Sequence, residues 1–250
     1  MLIRLLPLLL PTLLLFAPSA QAQTALQAYS MLYPPLHMGP GSGQKPGIAD
    51  ELVLRAANLA GVTIEIRTLP WRRAQLMASQ HRDACVFPLS RHPAREKQYQ
   101  WVGLIAPGQL RLYSWVGSTR LASLQSAADA RITVLAGSSA EIRLQQQRLP
   151  YSTTNVVADG LRLLQLGQAD YWAVHDVVAR YEARLSRFPL KAVASLGEAN
   201  SWLACHRNTP KAQVQALQQA FLQLQAQGEA ERIMRNYLGD RHDETKPAAE

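Results

Sequence analysis

Cysteine is scarce in this 250-residue chain, with Cys85 and Cys205 the only two. They can form one bridge at most. A pair in an exported chain is commonly bonded, whereas two buried free thiols would act as small apolar residues, and both readings stand at this level. The six histidines are scattered, and the adjacency Cys205-His206 is not zinc spacing, so no metal site is expected. There is no Gly-rich phosphate loop and no Gly-x-Ser-x-Gly elbow, and no cofactor is expected. Internal repeats and low-complexity tracts are absent too. Acids are outnumbered, 18 Asp and Glu against 26 Lys and Arg, giving a formal charge of +8. Such a balance can serve nucleic acid, anionic ligands or acidic partners. The cations are scattered, which fits a solvated surface, and nucleic acid is not an expected partner of an exported chain.

Apolar runs are confined to the start. Arg4 supplies a positive beginning, Leu5 to Phe16 an apolar stretch, and Ala20-Gln21-Ala22 a small-residue cleavage site. Residues 1–22 are therefore expected to be a signal peptide. Its run contains Pro7 and Pro11 and is too short to span a bilayer comfortably. No later segment is apolar enough to cross a membrane, so the mature chain is expected to be periplasmic and soluble.

Alternating patterns organise the rest of the chain. Ala28 to Leu32 reads as a strand, then comes the loop Tyr33-Pro34-Pro35-Leu36, and Gly39 to Gly47 is a Gly/Pro/Ser-rich loop. Asp50 is expected to cap a helix that carries Leu52, Val53, Ala56 and Ala57 and stops at Gly61. Val62 to Ile66 reads as a strand, Trp71 to Ser79 as a helix, and Ala84 to Leu89 as a strand. A second series comes after Gln109: a strand over Ile132 to Leu135 and a helix after Gly137-Ser138-Ser139. Further on come a helix capped by Asp159, a strand over Asp170 to Val174, a helix from Asp176 and a strand over Leu190 to Ala194. Ser201 to Cys205 reads as a returning strand, succeeded by a long helix opened by Thr209-Pro210 and a last one over Glu229 to Leu238. Strands alternating with helices imply parallel sheets.

The most informative stretch runs from Leu69-Pro70-Trp71-Arg72-Arg73-Ala74 through Ser90-Arg91-His92-Pro93-Ala94-Arg95-Glu96. Val86, Phe87 and Leu89 give a buried strand, and Pro93 ends it and can start a helix. Ser90 and Arg95 then stand at the strand's C-terminal end, where open α/β sheets bind ligands. A planar guanidinium fork beside a hydroxyl suits a carboxylate.

Together with Tyr33-Pro34-Pro35, Ala136-Gly137-Ser138-Ser139, Gly167-Gln168-Ala169-Asp170 and His175-Asp176, these pieces resemble the type II periplasmic solute-binding proteins of amino-acid-binding family 3. The likeness covers nearly all of the mature chain and rests on order and spacing rather than on any single piece. It implies an α/β fold of two lobes, each a mostly parallel sheet flanked by helices, joined by two crossover strands. Residues 23–108 plus 199–250 would form lobe 1, and 109–198 lobe 2. It also implies that the strand with Cys205 runs antiparallel beside the one with Cys85. The chain departs from the pattern at Leu36, where an aromatic is usual, and at Gln80-His81-Arg82, which lacks the usual Gly. One extra residue separates Asp170 from Asp176, so either His175 or Asp176 takes the position where relatives hold an α-amino group.

Arg95 and Ser90 are the expected carboxylate contacts; the alternative is a surface Arg that caps a helix. Arg91 reads as a solvated neighbour unless it points inward. Ser138 and Ser139 open a helix whose free N–H groups favour an anion, and they also fit ordinary capping. Asp176 offers a carboxylate to an ammonium group, or an N-cap. Tyr33 and Trp71 could sandwich a ligand, while Trp101 and Trp115 read as core, Trp172 and Trp202 stay ambiguous, and Arg73 also suits hydrogen bonds to loop carbonyls. The implied function is a monomeric, non-enzymatic receptor. It captures a small amino-acid-like, carboxylate-bearing ligand by cleft closure and delivers it to an ABC-type permease. Alternatives are an adaptor for a membrane sensor, or a dehydratase-like enzyme that would need Asp176 or His175 as proton donor because the cleft motifs hold no Glu.

Overall fold

The computed structural model describes residues 25–39, 45–119 and 127–239. The expected signal peptide, most of the Gly-rich loop and the tail beyond Gly239 lie outside the described residues.

Two five-stranded sheets make up the frame. The first holds β1 (Leu26–Ser30), β2 (Ile64–Thr68), β3 (Ala84–Ser90), β4 (Tyr99–Ala106) and β10 (Ser201–His206), in the order β2-β1-β3-β10-β4. Strands β1, β2 and β3 are parallel, and β10 runs antiparallel between β3 and β4. The second holds β5 (Gln109–Trp115), β6 (Ile132–Leu135), β7 (Ser152–Thr154), β8 (Tyr171–His175) and β9 (Leu190–Glu198), in the order β7-β6-β8-β5-β9. Here β5 is the antiparallel member. The expected fold class, two mostly parallel sheets flanked by helices, is the one observed.

Helices cover both faces of each sheet. On the first, α1 (Ile48–Ala60), α6 (Lys211–Ala226) and α7 (Glu229–Leu238) pack on one face around Leu52, Leu217 and Ile233, and α2 (Trp71–Gln80) packs on the other with Ala74 and Ala78 inward. On the second, α3 (Ser139–Gln146) takes one face, and α4 (Val157–Gln165) with α5 (Asp176–Ser186) takes the other, where Trp172 is only 1% exposed. Gly61, in the left-handed region at φ 63°, stops α1 as expected. Asp50 does not cap that helix. Gly47 is the N-cap, and Asp50 is buried in the first turn, where it accepts from His37.

The polypeptide passes between the sheets twice, from β4 into β5 through Pro107-Gly108 and from β9 into β10 through Ala199-Asn200. The passages are tied together: Ala199 N donates to Gly108 O at 2.9 Å, and Gly108 N donates to Asn200 Oδ1 at 3.2 Å. Strands β4, β5 and β7 were not foreseen from the local pattern. In β4 the burial does not alternate cleanly, because α6 covers one face and neighbouring aromatics half-cover the other. Trp115, expected in the core, is 47% exposed and stacks on Phe188, because it ends β5 at the sheet margin.

Cys85 on β3 and Cys205 on β10 are directly paired in the antiparallel register and form a disulfide. The bridge closes a loop of 120 residues that contains the whole second sheet. Loops of that length lose much chain entropy when cross-linked in the unfolded state. Replacing both cysteines by Ala is therefore expected to lower unfolding stability by about 2–4 kcal/mol. Urea denaturation of the variant and of reduced wild type checks this, and unchanged midpoints would contradict it.

Burial also sets a pH dependence. Glu182 of α5 is 8% exposed, and desolvation pushes its carboxyl above the usual range. A raised folded-state pKa means that the folded protein holds the proton more tightly, so this group's contribution falls as pH rises from the ordinary carboxylate value through the raised one. Glu182→Gln is expected to flatten that fall and to be the more stable form at neutral pH. Melting curves between pH 4 and 8 would show parallel profiles if the expectation is wrong.

Candidate functional site

Parallel strands of both sheets end facing one another, and the space between them is a cavity of about 30 Å³. From the first sheet's side come Met31 and Tyr33 after β1, Trp71 at the start of α2, Pro88 and Ser90 at the end of β3, and Ser201 at the start of β10. From the other side come Leu110, Leu135, the Ser138-Ser139-Ala140 opening of α3, and His175 at the end of β8. This is where open α/β sheets place ligands. Five of the expected contacts, Tyr33, Trp71, Ser90, Ser138 and Ser139, line this space.

Arg95 stands at its edge, at the end of the 3-10 turn Pro93–Arg95, and is 7% exposed. The turn forms because Pro93 fits a first helical position and His92 caps it, accepting from Ala94 N. Among the described residues the guanidinium has no acidic partner. Nη1 donates to Ser90 O and Ser139 Oγ, both at 3.1 Å, and Nη2 donates to Gln75 Oε1 at 2.8 Å and to Gly137 O at 3.5 Å. Burial lowers its pKa, opposed by Tyr99.

Gly137 is the meeting point of the two sides. Its φ of +75° and the nearness of Arg72, whose Cγ would lie 2.9 Å from an added Cβ, both favour glycine. Its carbonyl accepts from Trp71 Nε1 and Gln75 Nε2, each at 3.1 Å, as well as from Arg95. Its N–H donates to Glu141 Oε2 at 2.5 Å, while Ser138 Oγ accepts from Glu141 N at 3.2 Å. Ser138 thus caps α3 and faces the cavity as well, as the sequence allowed. Outside the cavity, Arg72 reaches Glu141 at 3.6 Å and His92 reaches Gln146 at 3.3 Å across the cleft.

Sequence reasoning missed Gln75 and His37. Gln75 lies four residues after Trp71, hence on the same helix face, which was the available signal. His37 closes the Tyr33–His37 turn, with Nδ1 2.6 Å from Asp50 Oδ1 and Nε2 2.8 Å from Thr68 Oγ1. That arrangement fixes Tyr33, whose hydroxyl is held protonated mainly by burial, against a backbone hydrogen bond from His175.

Asp176 is not brought to the cavity wall. Its Oδ1 accepts from Val177 N at 2.8 Å and from Gln109 N at 3.2 Å, and it lies 3.0 Å from His175 Nδ1. Burial works against the ionised form, but these hydrogen bonds, led by His175, hold the Asp176 pKa below the usual range. Arg91 turns away from the cavity, forked onto Glu96 at 2.8 and 3.0 Å and stacked over Trp101 and Trp202. Among the described residues no cluster of His, Cys, Asp or Glu could hold a metal ion.

No protein-family model matches the chain, and no curated protein matches it in sequence. Solved structures do match in fold. A histidine kinase sensor domain with similarity to periplasmic binding proteins superposes with TM-score 0.78 at 21% identity, covering 87% of this chain and 97% of that one. The substrate-binding protein of an amino acid ABC transporter gives 0.75 at 17% identity, covering 87% and 100%. The arginine-, lysine- and histidine-binding protein of Geobacillus stearothermophilus gives 0.77 at 12%, covering 87% and 96%. The chain has the two-lobed periplasmic-binding-protein-like fold.

Gln75 touches both Arg95 and the opposite side, so Gln75→Ala removes two hydrogen bonds, one of them to a buried cation. Such bonds contribute about 1.5–3 kcal/mol to charged groups and about 1 kcal/mol otherwise. Only the bond from Gln75 Nε2 to Gly137 O crosses between the two sides, so the variant is expected to shift the unliganded molecule toward an open form by about fivefold. Small-angle scattering should register a larger radius of gyration, and an unchanged curve would remove Gln75 from the closure contacts.

Proposed function

We propose that the chain is an extracytoplasmic solute-binding receptor, not an enzyme. It captures a small carboxylate-bearing ligand, an amino acid or a close relative, by closure of two lobes. The observation that carries this reading is Arg95: a guanidinium buried at the cleft without a carboxylate partner among the described residues, beside the Ser139 hydroxyl and a helix N-terminus that also favours negative charge. In this proposal Arg95, Ser90 and Ser139 bind the carboxylate, Ser138 holds the α3 opening in place, and Tyr33 and Trp71 cover the ligand body. Lobe 1 comprises 23–108 plus 199–250 and lobe 2 comprises 109–198, with the leader over 1–22 directing the chain to the periplasm as a monomer.

Both lobes supply contacts, so a ligand binds the closed state better and shifts the population toward it. The closed form is then what a membrane partner reads. An ABC-type permease is the partner that the transporter-associated fold neighbours favour. The sensor-domain neighbour favours a second reading, in which closure signals to a membrane sensor. Permease and ATPase genes beside this one would support uptake, and a sensor kinase gene would support signalling.

Protein refolded free of ligand tests the binding itself. A bound carboxylate at about 100 times its Kd should stabilise the fold by about 2.7 kcal/mol. Arg95→Ala is expected to weaken binding by about 2–5 kcal/mol, since it removes one partner of a buried charge pair. Arg82→Ala, at a side chain 70% exposed, should leave affinity unchanged. Calorimetric titration giving the two variants equal affinity would move the site elsewhere.

A further inference from the structure

Helices α5 and α7 belong to different sheets and yet are tied to one another, away from the cavity. We propose that they form a second latch, in which Arg184 restrains the parting of the two sheets. The inference rests on the closure reading above and adds to it a residue that touches none of the proposed ligand contacts.

Helix α5 covers the second sheet, where Val178 and Ala179 pack. Its first turn nevertheless reaches the other core: Val177 is buried in the first sheet's cluster with Ile105 and Leu203. Two turns further on, about 10 Å along the helix axis, Arg184 donates from Nη2 to Tyr237 O in the last turn of α7. The last carbonyls of a helix lack intrahelical partners and carry partial negative charge, so a guanidinium meets there an open acceptor of favourable polarity. An added Cβ on Gly239, which ends α7, would lie 3.6 Å from Arg184 Nη1, so the guanidinium rests against the end of that helix.

Helix α7 passes the contact on to the rest of the first sheet's layer. The Tyr237 hydroxyl donates to Glu51 Oε1 at 2.7 Å and accepts from Gly47 N at 3.3 Å, both at the start of α1, and Ile233 is buried in the same core. Helix α5 in turn starts at the crossovers, where Asp176 Oδ1 accepts from Gln109 N and His175 Nε2 faces Ala199 O. It is therefore a lever with its near end, Val177, at the pivot. A rotation that swings α5 by about 15° moves Arg184 by on the order of 3 Å at that arm, enough to break a hydrogen bond. Parting the sheets also separates Trp71 Nε1 from Gly137 O across the cleft. The two sets of contacts are lost together, so weakening one favours release of the other.

Hydrogen exchange of the Trp71 indole N–H, followed by NMR in protein refolded free of ligand, reads the cleft directly. Its exchange is expected to proceed by a urea-independent opening, distinct from the urea-dependent unfolding that exposes the β3 amides of Cys85 and Val86. Arg184→Gln should speed that urea-independent exchange by about fivefold. Arg235→Ala, at an exposed position of the same helix, should leave it unchanged. Gln75→Ala, which removes a contact across the cleft itself, calibrates the reporter and should also speed it. Acceleration in Gln75→Ala but not in Arg184→Gln would make Arg184 a cap of α7 alone, overturning the inference and leaving closure standing. Equal acceleration by Arg235→Ala would trace the effect to general loosening of α7 and overturn the inference as well. Trp71 exchange that follows urea throughout, or that neither Gln75→Ala nor Arg184→Gln changes, would overturn the inference and the closure reading together.

Discussion

A positive charge buried without a negative partner among the described residues governs this cleft. Removing a guanidinium from water costs on the order of several kcal/mol unless dipoles or an anion replace its hydration. Arg95 is held by dipoles: the carbonyls of Ser90 and Gly137, the hydroxyl of Ser139 and the amide oxygen of Gln75. Two of these acceptors, Ser139 and Gly137, lie across the cleft from it. The compensation of Arg95 therefore depends on closure, and opening the cleft leaves part of its donor set to water. The rest of the site serves this arrangement. Pro93 and His92 shape the turn that delivers the side chain, Glu141 and Ser138 hold the Gly137 corner, and the ties between Gly108, Ala199 and Asn200 set the two sheets at the distance the guanidinium can bridge.

The sequence carries those parts of the design that are local. Gly61 after an apolar helix, the run Ala84 to Leu89 and the Ser138 cap arise from conformational preference and burial, and each lies within a residue or so of where it was expected. Ser90 with Arg95 was legible because a strand end, a hydroxyl, a proline and an arginine stand within a few residues. The features that escaped detection depend on contacts distant in the chain. Strand β4 is half-covered on one face by Trp202 and Arg91, so its pattern does not alternate. Asp50 looks like a cap until His37, thirteen residues earlier, is seen to claim its carboxylate. Asp176, expected to meet an ammonium group or to cap its helix, also accepts from Gln109 on a strand distant in sequence, a contact no local pattern shows. The disulfide is one of two readings of the residue counts; the family resemblance places the two strands side by side, and the register that sets Cys205 opposite Cys85 is what decides the bond.

In the proposed function, closure and capture draw on the same donors, and this sets how the cleft would respond to a ligand. Arg95 spends N–H groups on Ser139 and Gly137, while Trp71 and Gln75 also hold Gly137. In the proposed reading a carboxylate between Ser90 and Ser139 would take over the Arg95 donors and replace neutral acceptors with a charged one, which makes stronger hydrogen bonds. Trp71 and Gln75 keep their hold on the Gly137 carbonyl throughout. The acceptors in these contacts across the cleft are neutral ones, and in the proposed reading a carboxylate would add a charge-assisted set that needs both sides at once and that an open state would lack. Only that difference in affinity between the two states can shift the equilibrium. A side chain that strengthened the empty latch would raise the closed population without improving discrimination. Under the proposed reading, the cleft's sensitivity would rest on Arg95 being satisfied poorly enough by dipoles that an anion still improves on them.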